Sequence, residues 1–316
     1  MANLPTVNDL QLVEPVLTNM LLAYMQNESR FVALRVFPAL RVDKDSGTYP
    51  IFTKKYWFLD GLEERAPGAG FMRGGYGVTS GTYSTLQWGL EHVIPDENRA
   101  NSQIPMDLEA AGIEWLGQQS LIRKERAFAA EFMINGVWGT TDNNSATDWD
   151  DYTSGDPVAN VRTASRTINT STGKRANTIV MGEIVYDAVA NHPDVLDRIK
   201  YTEAATEENT RRALAAILGL DQVLLADAVY NTANSGQAVS MAAIIDDDAL
   251  VCYVEPTPRL MSATAGMTFV WPAGGAEGAV VTYRDQSVKS DILQHSEQWD
   301  QAATATDLGY LFLDIV

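Results

Sequence analysis

The chain has 316 residues, a formal net charge of −18 and an isoelectric point near 4.5. That balance excludes a protein that grips nucleic acid through its phosphates, which needs a basic stripe; the basic clusters Arg123-Lys124 with Arg126, Lys174-Arg175 and Arg211-Arg212 are all short. Hydrophobic residues make up 46%, enough for a sizeable core in two modest domains or one elongated one.

Residues 1–40 read as an extended, apolar-rich arm. Pro5, Pro15 and Pro38 forbid a long helix there, and one short helix fits between Thr18 and Gln26. The arm is too shallow to be a domain. It is expected to lie on another surface, of its own chain or of a neighbour. Residues 41–90 alternate like strands, with Thr48 to Phe58 and Gly77 to Trp88 as two sides of a long hairpin. Asp60 to Gly70 between them is charged and glycine-rich, a projecting tip. Two strands alone are marginal in water, so this hairpin needs something outside itself to lie on.

The stretch from Pro105 to Asn135 predicts a helix of roughly 45 Å. Pro105 suits a helix start, Asp107 and Glu109 complement the positive end of its dipole, and Asn135-Gly136 is a stop signal. On a wheel at 100° per residue, Leu108, Ala111, Gly112, Trp115, Leu116, Ile122, Ala129, Ala130 and Met133 form a broad core stripe. Leu121, Phe128 and Phe132 form a second patch nearly opposite. Two layers of the chain itself, or its own core and a neighbour, would cover those two faces.

Thr140 to Asp151 reads as an exposed polar loop. Asp156-Pro157 opens a helix that runs from Val158 to Thr170. Thr178 to Gly182, Asp221 to Ala226 and Ala249 to Val254 are strands, alternating with helices at Glu183 to Asn191 and Glu207 to Leu218. A compact α/β module over 176–270 follows. Ala279 to Val288 and Leu308 to Val316 close the chain with strand pattern.

The search for catalytic chemistry finds no constellation. His92, His192 and His295 are not paired at i, i+4 and not near a cysteine, so they read as structural or surface residues; His192 before Pro193 reads as a turn. Gly173-Lys174 lacks the framing of a phosphate loop, and no serine sits in G-x-S-x-G. Asp246-Asp247-Asp248 reads as a solvated turn rather than a cation loop, because the other ligands of a Ca²⁺ loop are missing. The lone Cys252 reads as a buried strand cysteine, with no intrachain disulfide or cysteine zinc site open to it. No cofactor and no metal are expected. The N-terminus carries no basic n-region and apolar run, so no secretory leader is expected. No stretch approaches the ~20 apolar residues of a membrane span. An arm, a projecting hairpin, a long strut and a wedge-like module each need partners to bury their surface. Assembly is the function this suggests.

The order of parts resembles the major capsid protein of tailed bacteriophages, over nearly the whole chain. The phrases that carry the resemblance are Val13-Glu14-Pro15-Val16-Leu17 and Arg35-Val36-Phe37-Pro38 in the arm, and Glu63-Glu64-Arg65-Ala66-Pro67-Gly68 at the loop tip. Further along they are Asn177 to Gly182, Asn191-His192-Pro193-Asp194-Val195, Arg212 to Leu220, and Leu308-Gly309-Tyr310-Leu311-Phe312. The resemblance implies an α+β capsid fold. Residues 1–40 would be an N-terminal arm, 41–90 an extended β-hairpin loop, 91–175 a peripheral domain with its spine helix at 105–135, and 176–270 an α/β axial domain. Residues 271–316 would return as peripheral strands.

It also implies a non-enzymatic shell subunit, assembled through hexamers and pentamers into an icosahedral capsid around packaged double-stranded DNA that it does not bind sequence-specifically. The alternative from another class is an encapsulin-type compartment that holds cargo enzymes. Trp57, Glu63, Glu64, Arg65 and Phe71 on the loop, and Leu121, Phe128 and Phe132 on the spine helix, would contact neighbouring subunits. A scaffold protein, a portal and a decoration protein are the expected partners, with no membrane, and the virion, assembled in the host cytoplasm, is the expected location. Some family members have a long helical scaffolding segment before the arm. Its absence here implies proteolytic removal or a separate scaffold. Family members that cross-link covalently use a loop lysine; Lys54 and Lys55 lie on the loop's flank instead and read as surface ion-pairing groups.

Overall fold

The computed structural model of the chain describes residues 26–52, 54–68, 70–101, 107–143, 148–199, 207–255, 257, 262–272 and 280–316. In chain order the arm enters through a 3₁₀ turn at Glu28–Arg30 and the short helix α1 (Ala33–Val36), then strand β1 (Ala39–Arg41). β2 (Ser46–Phe52), the helical turn α2 (Lys54–Trp57) and β3 (Val78–Ser84) build the loop region. β4 (Leu86–Pro95) and α3 (Asp96–Asn101) lead to α4 (Leu108–Phe132), a helix of 25 residues. β5 (Thr140–Asn143), α5 (Pro157–Thr172), β6 (Thr178–Gly182), α6 (Glu183–Ala190), α7 (Pro193–Ile199), α8 (Glu207–Leu218) and β7 (Gln222–Ala226) follow. The chain ends with β8 (Val229–Asn231), β9 (Met241–Ala243), β10 (Ala249–Cys252), β11 (Gly266–Val270), β12 (Val280–Asp285), β13 (Ser290–Ala303) and β14 (Gly309–Leu313).

Two five-stranded sheets organise the molecule. In the first, β13 is central. β11 and β12 pair in succession with one of its edges and β4 with the other, all antiparallel, while β1 adds to β11 in parallel. In the second, the order is β5-β14-β10-β6-β7. Every residue of β6 and β10 is buried, as strands covered on both faces must be. The largest core cluster runs from the arm through Phe128 and Phe132 into this second sheet.

Strand membership crosses the boundaries expected from sequence. β14, expected among the peripheral strands, pairs instead with β10 (Leu250↔Leu311) and β5 (Leu311↔Thr141) in the α/β sheet. β11, expected at the end of the axial module, pairs instead with β13. Hydrophobic periodicity marks a strand without naming its partner, which a non-local register decides. Thr140–Asn143, expected as loop, is an edge strand of the second sheet. Its β-branched threonines suit a pleated edge.

Helix ends follow sequence chemistry. The Asp107 carboxylate accepts from the Glu109 and Ala110 N–H groups at 3.0 and 3.2 Å, which caps α4. Pro105 lies outside the described residues, as do residues 1–25 with most of the Thr18–Gln26 helix expected there, and Met261. At α5, Asp156 caps by accepting from Ala159 N–H at 2.8 Å, and Gly173 ends the helix at φ 71°, a conformation that favours glycine.

The faces of α4 require correction. Trp115, assigned to the core stripe, is 43% exposed and leans on His92. Ala130 of that stripe is exposed too, while its other members are buried or half-buried. An i+4 ridge of Gly112, Leu116, Ser120, Lys124, Phe128 and Phe132, each buried or half-buried, also turns inward, beside buried Glu125, Ala127 and Met133. An i+4 ridge winds slowly around the helix axis. Its first half therefore meets Leu293 and Ile94 of the first sheet, and its second half meets the arm. A fixed wheel over 25 residues splits such a ridge into two unrelated patches. Phe128 is fully buried and Phe132 nearly so, both against Phe37 with ring centroids at 5.2 and 4.7 Å. Side chains covered by their own subunit are closed to a neighbour. Phe128 and Phe132 are therefore core residues rather than intersubunit contacts, and Leu121 beside them is half-buried.

Candidate assembly surfaces

The loop projects from a hairpin that is seated on its own subunit. β2 and β3 pair in register (Tyr49↔Gly81, Gly47↔Tyr83). Each tyrosine ring packs where the facing glycine has no Cβ. Tyr49 and Tyr83 then stack on Phe269 of β11, at 5.4 and 4.6 Å. This supplies the support that an isolated hairpin lacks. The second expected side ends early. After the break at Thr85, β4 leaves the hairpin and joins β13, and α2 replaces the expected continuation of β2.

Beyond this seat the loop carries apolar side chains that its own chain leaves uncovered. Trp57 is 61% exposed, Leu62 94% and Phe71 79%; Phe58, Leu59, Met72 and Tyr76 are exposed with them. Trp57 and Tyr76 face each other across the two legs at 6.1 Å. The Arg65 guanidinium lies 4.3 Å from the Phe71 ring centre, a cation–π contact. Glu63 and Glu64 are exposed between these groups. Of the expected loop contacts, Trp57, Glu63, Glu64, Arg65 and Phe71 thus share one projection. A run of large exposed apolar side chains among charges marks an interaction surface. Sequence reading did not single out Leu62, Phe58 or Tyr76; their alternation with charged residues in a glycine-rich stretch was the available signal.

The loop's base is tied back. Lys54 forms an ion pair with Asp307, and the Phe58 ring lies against Gly173. Between base and body is a cleft of about 580 Å³, with an apolar floor that includes Met267, Phe269 and Ala305.

The arm is fastened to α4. Glu125 Oε2 accepts hydrogen bonds from the Val32 and Ala33 N–H groups, each at 2.9 Å. The Gln26 side chain bonds both ways with the Val229 backbone, at 2.6 and 2.9 Å, and Arg30 pairs with Asp227 at 3.3 Å. Phe37 closes the seam among Phe128, Phe132 and Trp138.

Groups considered for chemistry are dispersed. His192 is buried, and its Nδ1 accepts from Asp194 N–H at 3.3 Å at the start of α7. His295 lies buried in β13, and His92 is half-buried in β4. Burial pushes the Cys252 thiol up to about 12, the mark of an inert core cysteine. Asp248, expected as part of a solvated turn, is half-buried, and burial followed by the charges of Asp247, Asp314 and Asp246 pushes its carboxyl up to about 6. Among the described residues no three His, Cys, Asp or Glu side chains gather to hold a metal ion, and no helix is long and apolar enough to cross a membrane.

Three comparisons bear on these surfaces. The family model described as Phage major capsid protein E matches residues 136–265, from the end of α4 to the start of β11. A major capsid protein of Burkholderia phage BcepMu is 25% identical over 226 residues, covering 71% of this chain and 72% of that protein. Among solved structures, a phage-related protein from Bordetella bronchiseptica RB50 superposes with a TM-score of 0.68 at 23% identity, covering 96% of this chain and 97% of its own. The capsid of cyanophage P-SCSP1u superposes with a TM-score of 0.64 at 10% identity, covering 96% and 92%. At such identities the structural likeness speaks for the fold, which is the tailed-phage capsid fold, mixed α and β.

Proposed function

We infer that this chain is a phage major capsid protein, a structural subunit of the virion shell. The observation that carries the reading is the projecting loop: Trp57, Leu62 and Phe71 are large apolar side chains that remain mostly exposed on the subunit, in a chain whose fold is that of capsid subunits throughout. Burying such side chains is favourable by about 1.5–3 kcal/mol each, and a shell of identical subunits supplies the cover.

Subunits assemble through hexamers and pentamers into an icosahedral shell, in which closed symmetry lets one surface serve every contact. The loop lies over an adjacent subunit, with Trp57, Glu63, Glu64, Arg65 and Phe71 at the contact and half-buried Leu121 at the edge of the arm seam. The subunit's work is packing rather than catalysis. The shell encloses double-stranded DNA without reading its sequence, and the net charge of −18 suits a wall that DNA is pumped past. Assembly takes place in the host cytoplasm with a scaffold protein and a portal. The compartment alternative is not favoured, because the matching family model and the curated relative are both phage capsid proteins.

Electron microscopy of the purified chain, and of a variant lacking Glu63–Gly70, tests this. The intact chain is expected to form closed shells. The shortened chain is expected to keep its circular dichroism spectrum and lose shell formation. An intact chain that stays monomeric under all assembly conditions, or a shortened one that assembles equally well, overturns the reading.

A further inference from the structure

Beside the apolar seam at Phe37, the arm is hydrogen-bonded to α4 through one carboxylate whose two oxygens have unlike surroundings. Glu125 is 1% exposed. Its Oε2 accepts from the Val32 and Ala33 N–H groups, both at 2.9 Å. Those amides open α1, so a residue 93 positions away along the chain supplies the cap that no side chain of the arm provides. Its Oε1 is buried and has no hydrogen-bond partner among the described residues. A buried carboxylate oxygen without a donor is a large desolvation penalty when the group is charged, and a small one when Oε1 carries the proton. Both forms leave Oε2 free to accept from the arm.

The surroundings offer Glu125 little compensation. On α4, Lys124 is committed to Glu297 at 2.6 Å, and the Arg126 guanidinium lies over the Tyr230 ring at 4.5 Å. From the arm, Glu28 and Arg35 line a hollow of about 410 Å³ beside Glu125, and Arg30 pairs with Asp227. From the segment after β7, Asp227 adds a like charge.

We propose that Glu125 is a proton-operated latch that fastens residues 27–37 of the arm to the long helix, closed when the carboxyl is protonated and loosened when it ionises. On release the carboxyl gives its proton to solvent and the Val32 and Ala33 amides turn to water. Burial pushes the docked carboxyl up to about 7, with Asp227 adding to it and the two amide bonds opposing it. A carboxyl raised from 4.5 to about 7 on docking stabilises the docked arm fully below the lower value. That contribution is lost as pH rises through the higher one. The arm is thus held most firmly in mild acid, and its hold weakens toward neutrality.

Hydrogen exchange of the purified full chain, read on peptides that contain Val32 and Ala33 and normalised for intrinsic exchange, tests the latch. Protection is expected to fall by up to about tenfold per pH unit between about pH 5 and pH 7 and to level off above. Amides of β13 in the same sample serve as reference and stay level. Glu125→Gln keeps an oxygen for both amides and carries no charge, so its protection should not change across that range. A level profile in the unmodified chain overturns the proposal, and that reading does not depend on the variant folding. An equal slope in Glu125→Gln also overturns it. Neither readout involves shell formation, so failure here is distinct from failure of the capsid reading.

Discussion

Lys124 and Glu297 lock the middle of the long helix onto the central strand of the first sheet. Lys124 Nζ donates to Glu297 Oε2 at 2.6 Å, with the two side chains only 15% and 9% exposed. Ser120 Oγ and Trp299 Nε1 donate to the other oxygen at 2.7 and 3.1 Å, and Lys124 also donates to Ser120 Oγ. Removing one partner of a buried pair strands the other charge, which typically costs about 3–5 kcal/mol. Lys124→Met is therefore expected to lower subunit stability by about 3 kcal/mol in a urea titration. Glu297→Gln keeps an acceptor for Ser120 and Trp299 while removing the stranded charge. The double variant should accordingly lose less than Lys124→Met alone, and a double variant that loses the sum of both would show that the pair is not coupled.

Two glycines of different surroundings should respond to alanine in opposite ways. Gly309 begins β14 with an extended backbone at φ −124°, so its conformation suits any residue. A Cβ there would overlap the Trp138 indole, whose Nε1 donates to the Phe132 carbonyl at 2.7 Å and closes the end of α4. Overpacking of this kind costs about 1–3 kcal/mol. Gly117 lies within α4, and a Cβ there meets nothing within 4 Å. Gly117→Ala should stabilise by about 0.5–1 kcal/mol through helix propensity. Thermal unfolding of both variants checks the pair; a stabilised Gly309→Ala would mean that the indole moves aside freely.

Adjacent positions on α4 should differ sharply in their tolerance of charge. Trp115 is 43% exposed and Leu116 is fully buried against Ile94 and Leu293. Trp115→Asp is expected to fold with a loss of about 1 kcal/mol. Leu116→Asp buries an unpaired carboxylate and should give an unfolded or aggregated subunit. Circular dichroism of the two variants distinguishes the outcomes, and a folded Leu116→Asp would contradict the ridge.

The same residues show where sequence was readable. The existence of α4, the Asp156-Pro157 start of α5 and the buried strand around Thr178 are local, and propensity and periodicity record them; Asp107, expected inside the first turn of α4, caps it instead. The loop's need for outside support was also visible, since two strands joined by a charged, glycine-rich tip are marginal alone. The strand partners of β11 and β14 were not legible, because register is settled by contacts over long separations, such as Gly309 beneath Trp138. Phe128 and Phe132 were misplaced for a related reason: their cover is Phe37 of the arm, some ninety residues earlier in the chain. Glu125 offered no sequence signal, being one acidic residue among several on a polar helix.

Asp248 should set part of the pH dependence of subunit stability. It precedes β10, and its Oδ1 accepts from the Asp314 N–H at 3.2 Å, near the chain's end. Burial, then Asp247, Asp314 and Asp246, push its carboxyl up to about 6 from 3.8. The stabilising contribution of the protonated form is fully present below the lower value. It is lost as pH rises through the higher one. Asp248→Asn retains an oxygen for the Asp314 amide and removes the charge. The variant should therefore unfold at a higher temperature than the unmodified subunit at about pH 8, and the gap should close near pH 4. Asp96 and Asp291, held below the usual carboxylate range first by Arg284, drive stability in the opposite direction with pH. They act equally in both proteins, so the difference between variant and parent isolates Asp248. A difference that is constant from acid to alkali, or that grows toward acid, would rule out this assignment.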